Sequence, residues 1–203
     1  MRPPFLAAMV AALTFTAACT SGPSAPVDQQ AYVKTITEAR AVKDKAFREE
    51  PEPIPADKRA TLLPLRYFPP DPSYTAPAEL KLANERPVFE MPTSTGKLRR
   101  MERVGVLEFS LGGQPMSLAA FVEEGQALEN LFVPFADLTT GKESYPAGRY
   151  LDIRPTSTGF YTIDFNMAYN PTCAYNASYD CPYPPASNRL KVEIRAGEKA
   201  PGT

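Results

Sequence analysis

The chain has 203 residues, with 22 Lys and Arg against 23 Asp and Glu and a formal net charge of −1. Without a net basic field, nothing recruits the phosphates of nucleic acid or an acidic membrane surface. His is absent, which excludes an imidazole base, Ser-His-Asp and Cys-His nucleophilic sites, and His-ligated zinc or copper.

A hydrophobic content of 43% supports a core, and 23 prolines predict long ordered connections around a β-containing body. The length suits about one domain with an appendage. The N-terminus reads MRPPFLAAMVAALTFTAACTSGPSAP. Arg2 supplies a positive start, and Phe5 to Ala18 is apolar but too short to span a bilayer. This predicts a signal peptide over 1–18. Cys19, after Ala17 and Ala18, is similar to the cysteine of a bacterial lipobox, whose thiol is diacylated. Thr16 departs from the Leu usual there, and ordinary cleavage after Ala18 is the alternative. With lipid on Cys19, 19–27 becomes a flexible tether, and two or more acyl chains suffice for stable anchoring. The expectation is an exported, membrane-anchored lipoprotein of the bacterial cell envelope, whose membrane contact is that anchor.

Asp28 to Glu50 predicts a helix, 28–50, with Asp28 as N-cap. Tyr32, Ile36, Ala39, Val42 or Lys43, Ala46 and Phe47 recur at helical spacing. Glu38, Arg40, Lys43, Asp44 and Lys45 populate the other faces, and PEPIP ends the helix. Its narrow apolar face predicts one-sided packing on the body rather than a membrane-lying helix. A Pro-rich strap, 51–78, follows. Leu62, Leu63, Leu65, Tyr67 and Phe68 dock it, and Pro69, Pro70 and Pro72 keep it extended.

A period of two begins near Glu79 and predicts a β domain over 79–199. Candidate strands hold Leu80 and Leu82; Val88, Phe89 and Met91; then Met101, Val104, Val106 or Leu107, Phe109 and Leu111. Gly112-Gly113 is a two-residue hairpin signal. QPMSLAAFV returns, Leu131 to Phe135 adds a strand, and two more flank a turn at Thr156 to Gly159. NRLKVEIRAGE closes with Leu190, Val192 and Ile194 on one face. About eight to ten short strands predict a mainly β fold. The expected form is an antiparallel β-sandwich or partly open β-barrel with one N-terminal α-helix.

Several signatures fail on inspection. LTTGKES has the Gly-Lys of a phosphate loop without its upstream Gly. Ser94 to Lys97 matches S-x-x-K but sits in a Gly turn without companion motifs. Cys173 and Cys181 are not C-x-x-C, and no loop has EF-hand spacing. With Cys19 lipidated, two of the three cysteines remain. Export to an oxidising compartment favours a Cys173–Cys181 disulfide, which would constrain the unfolded chain by about 2.5 kcal/mol. No cofactor and no metal are expected.

What remains is a polar constellation in the last third. Asp137, Thr139, Tyr145, Arg149, Tyr150, Asp164, Asn166, Tyr169, Asn170, Tyr175, Asn188 and Arg189 are the candidate ligand-binding residues. Arg149 or Arg189 would grip an anionic group. Asp137 and Asp164 would serve as an acid–base pair if the protein is an enzyme. Loop-locking by local hydrogen bonds stands beside both readings.

These residues carry a family resemblance. LFVPFADLTTGKESYPAGRYLD and IDFNMAYNPTCAYNASYDCPYPPASNRLKVEIRAGEK resemble the signature of the bacterial domain-of-unknown-function family 1684 (DUF1684). KDKAFRE, YFPPDPSY and RVGVLEFSLGG fit it too. The resemblance runs from about Ala39 to Lys199, with Pro146 where the family more often has Gly. It implies that the candidates above other than Arg189, with Gly141, Gly148, Pro171, Cys173, Cys181, Pro182, Pro185, Gly197 and Glu198, are hallmark positions. It implies no activity, and it leaves a thiol or metal role for the two cysteines open. The reading is a ligand-binding or accessory module of the envelope, taking a small molecule or an envelope protein. The alternative is a His-free hydrolase.

Overall fold

The computed structural model describes residues 28–202. The expected signal peptide over 1–18, the lipidation site Cys19 and the tether over 19–27 lie outside the described residues. No helix among the described residues is long and apolar enough to cross a membrane.

The described residues form seven strands. They are β1 Thr75–Leu82, β2 Val88–Pro92, β3 Leu98–Leu111, β4 Gln114–Glu123, β5 Leu131–Phe135, β6 Arg149–Ile153 and β7 Tyr161–Asp164. The sheet runs β6-β5-β4-β3-β1-β7, antiparallel throughout. β3 is long enough for two partners along the edge opposite β4: Gly105–Phe109 pairs with β1 and Leu98–Glu102 with β2. A bridge from Pro155 to Tyr161 links the end of β6 to β7, so the sheet nearly closes into a barrel. Inward residues such as Val104, Leu107, Leu118, Val133, Phe135, Leu151 and Ile163 fill it. The β3–β4 hairpin turns on Gly112 and Gly113, at φ 57° and 76°, the left-handed pair that a two-residue turn requires.

The predicted β pattern differs from this structure in two places. Strand β1 begins at Thr75, earlier than the change of period near Glu79 suggests, because Ala76 and Ala78 already face the core. The expected last strand around Leu190, Val192 and Ile194 is no strand. The carbonyls of Ile194, Ala196 and Glu198 accept hydrogen bonds from the Arg149 guanidinium instead of from a ladder. Leu190, Ile194 and Ala196 still enter the core.

Helix α1, Gln29–Glu49, starts where expected: Asp28 accepts from the Gln30 and Ala31 amides at 3.0 and 3.1 Å. Its packed face is shifted. Val42 is 69% exposed, and Arg40, Lys43 and Asp44 point at the body. Only Ile36 is buried, which contributes about 1.5–3 kcal/mol. The strap includes a short helix, α2 Arg59–Leu62. Ile54, Leu65 and Tyr175 form a satellite core with Phe47, Leu62, Leu63 and Tyr67 around them. Tyr67 then bridges Glu198 in antiparallel fashion, with Phe68 N donating to Gly197 O at 2.9 Å.

Candidate functional site

Arg149 opens β6 inside the molecule. Its side chain is 1% exposed and that of Asp137 is 0% exposed. Nη2 donates to Asp137 Oδ2 at 2.6 Å and Ile194 O at 2.8 Å. Nη1 donates to Glu198 O at 3.2 Å and to Ala196 O. Asp137 Oδ1 accepts from the Thr139 amide at 2.7 Å and its hydroxyl at 2.5 Å. Burial pulls the Arg149 guanidinium below its ordinary value, while the Asp137 carboxylate pulls the other way. All four Nη hydrogens are thus engaged within the chain, and none is left for an outside anion. The pair is a bracket that holds the C-terminal segment.

Tyr169, Asn170 and Tyr175 converge on a residue that the expected pocket did not include. Glu198 is 2% exposed. Its Oε2 accepts from the Asn170 amide at 2.7 Å and the Tyr175 hydroxyl at 2.6 Å, and its Oε1 pairs with Lys43. Tyr169 donates to Asp152 Oδ2 at 2.8 Å, with its ring near the Lys43 ammonium. Burial raises the phenols of Tyr169 and Tyr175, and acidic neighbours reinforce the shift. No periodic signal marks Glu198. It appears in sequence only as part of the C-terminal motif.

The other candidates are dispersed. Asp164 caps the turn Phe165–Met167, accepting from the Asn166 amide at 2.9 Å and from Tyr32 at 2.8 Å. Asn166 binds both backbone groups of Asp71, at 2.9 and 2.8 Å. Burial pushes the Tyr32 phenol up to about 12. Asp137, with its side chain 0% exposed, is committed to Arg149 and Thr139, and Asp164 to Tyr32 and Asn166, so each expected acid–base partner serves a local structural contact. Asn188 is a buried peg: it accepts from the Ala119 amide and donates to the carbonyls of Ala119 and Pro134, all at 2.8 Å. Tyr150 donates to Pro182 O at 2.5 Å. Burial pushes the Tyr145 phenol up to about 12, with the Cys173 thiol beside it.

Cys173 and Cys181 are free thiols here, not the expected disulfide. They are close: the Cys173 amide donates to Cys181 Sγ at 3.1 Å. Hydrogen bonds from Cys173 hold the Cys181 thiol below its ordinary value. The turn holding Ser94 lies against them. Ser94 Oγ donates to Tyr179 O at 3.2 Å and accepts from the Cys181 amide at 3.1 Å.

Arg189 behaves differently from the rest. It lines an open cleft of about 1110 Å³ between β1, β3, β4 and the segment 187–192. Phe109, Met116, Leu190 and Val192 supply apolar wall, and Phe160 stands 67% exposed at the edge. Glu79 and Glu108, opposite each other across β1 and β3, and Lys191 complete the rim. Among the described residues neither Arg189 nor Lys191 is in an ion pair.

A family model described as "Protein of unknown function (DUF1684)" matches residues 61–199. An uncharacterized protein of Haloarcula marismortui, solved in solution by NMR, is similar at 37% identity with a TM-score of 0.66. The alignment covers 85% of this chain and 96% of that one. No curated protein matches the chain.

Proposed function

The chain belongs to the DUF1684 family, and we propose that it is a ligand-binding or accessory module whose ligand enters the Arg189 cleft. The observation that carries this reading is the pairing of solvent-open apolar wall with two cations, Arg189 and Lys191, that are in no ion pair among the described residues. Such a site takes an amphipathic molecule with an apolar body and one anionic group. Arg189 keeps the anion-orienting role, whereas Arg149 is committed to Asp137. The hydrolase alternative would need Asp137, whose carboxylate is committed to Arg149 and Thr139.

The probe for this is 1-anilinonaphthalene-8-sulfonate, an apolar ring system with one sulfonate. The intact protein should bind it with a fluorescence rise. Arg189→Ala should weaken binding about tenfold, the loss of one charge-assisted hydrogen bond. Equal affinity in both proteins would remove Arg189 from the site.

The same proposal places the module on an envelope membrane through lipid on Cys19, supported by the Ala-Ala-Cys motif behind a short apolar run. Mass spectrometry of membrane fractions should find a diacylated Cys19, and an unmodified cysteine sinks the anchor. Outside the cytosol, Cys173 and Cys181 would each lose one electron and one proton to an envelope thiol oxidant and join. Their proximity supports this. Protein purified without reductant should then titrate no free thiol from this pair.

A further inference from the structure

A docked helix ordinarily buries three or four apolar residues per two turns. Helix α1 buries Ile36, sets the Phe47 ring 5.7 Å from that of Tyr175, and otherwise meets the body mainly through polar side chains. Tyr32 reaches Asp164, Arg40 reaches the carbonyls of Phe68 and Asn166, Lys43 reaches Glu198, and Asp44 accepts from the Leu65 amide. Two cations therefore carry the middle of this interface, and both sit against aromatic rings. Arg40 Cζ is 4.5 Å from the Tyr67 centroid. Lys43 Nζ is 5.1 Å from the centroids of both Tyr169 and Phe47. A buried carboxylate among tyrosine rings is the chemistry that recognises an ammonium group.

Beside Glu198 lie two buried polar groups without a partner among the described residues. Asn170 is 3% exposed, and its Oδ1 has no partner. Its Nδ2 is committed to Lys199 O at 2.8 Å, so the amide cannot turn round to satisfy both ends. The Tyr67 hydroxyl is likewise buried and unpartnered. An ammonium has three donors, yet Lys43 Nζ makes one hydrogen bond among the described residues, to Glu198. Lys43 is also 28% exposed while Glu198 is 2% exposed. The cation enters from the solvent side, and the carboxylate belongs to the floor.

We propose that the Glu198 centre is a binding site for a primary alkylammonium group. Lys43 of α1 fills it in cis, and a lysine side chain of a partner protein displaces Lys43 and lifts α1 from the body. Phe47 leaves with the helix; Glu198, Tyr67, Tyr169, Asn170 and Tyr175 remain as the receptor. The site shares no lining residue with the Arg189 cleft, so each stands or falls alone.

The test uses the full chain. Lys43→Ala empties the site, and n-butylammonium chloride replaces the missing side chain. Its Tm should rise saturably with n-butylammonium and stay unchanged with n-butanol or sodium chloride at equal concentration. The double variant Lys43→Ala with Glu198→Gln should not respond. An unresponsive Lys43→Ala protein, or an equal response to n-butanol, overturns the site.

The wild type gives a second measurement that needs no variant to fold. Lys43 competes at an effective concentration in the millimolar range, so the challenge is a millimolar oligolysine peptide. Amide exchange over 29–49 should accelerate about tenfold while β3 and β4 keep their protection. Unchanged exchange overturns displacement. A peptide effective below the concentration needed for n-butylammonium supports a protein partner. A free amine as effective as the peptide overturns the protein partner and leaves a small amine as the ligand.

Discussion

Arg149 shows how one side chain can look functional in sequence and be structural in space. It ties Asp137 to three carbonyls of the C-terminal segment. Arg149→Met would leave the Asp137 charge buried and unpaired. Urea unfolding should then show a loss of about 3–5 kcal/mol. Arg149→Lys should restore little, because an ammonium cannot reproduce the fork. Gly197, between two of those carbonyls, has φ 75°, and a Cβ there would lie 2.6 Å from Ala168 O. Gly197→Ala should therefore destabilise by more than the roughly 1 kcal/mol that left-handed strain alone explains, measured the same way. The identities of Asp137, Thr139, Arg149 and Asn170 as special residues were legible in sequence. Their roles were not, because a buried ion pair and a ligand clamp use the same residue types.

At the scale of elements, β4 and β5 are joined at one registered pair, Phe121 with Phe132. Asn188 fills part of the remaining ladder with its side-chain amide, bonding Ala119 on β4 and Pro134 on β5. Three lost hydrogen bonds at about 1 kcal/mol each put Asn188→Ala at about 3 kcal/mol. Amide exchange at Ala119 should rise with it. A uniform effect across the sheet would instead mean general destabilisation. Strands, hairpin and N-cap could be read from periodicity and turn chemistry, since those signals are local. The packed face of α1 could not. Ile36 and Phe47 fit a helical stripe, but Val42 and Lys43 differ by one position, and only Glu198 decides between them.

Across the whole molecule, burial of phenols sets the alkaline limit. Tyr32 and Tyr145 are pushed up to about 12, and Tyr67, Tyr150, Tyr169 and Tyr175 are raised further, in each case first by burial. A raised folded value means the stabilising contribution is full below the unfolded value near 10. It is lost as pH climbs through the folded values. Stability should therefore begin to fall above about pH 10. Phenolate absorbance from these tyrosines should appear together with loss of circular dichroism. A smooth, independent titration of all ten tyrosines would contradict the buried placement.

By itself, the sequence determined the mainly β architecture, the helix with its Asp28 cap and the hairpin at Gly112-Gly113. Each rests on short-range regularities: a period of two, a period of 3.6, a left-handed glycine pair. Tertiary structure alone decided what the polar residues do. Which acceptor a guanidinium finds, whether Glu198 meets Lys43, and where solvent reaches apolar wall depend on segments far apart in the chain. Asp137 and Arg149 became a sealed bracket, Tyr169, Asn170 and Tyr175 became the walls of a carboxylate site beneath α1, and Arg189 alone kept its place beside an open cleft.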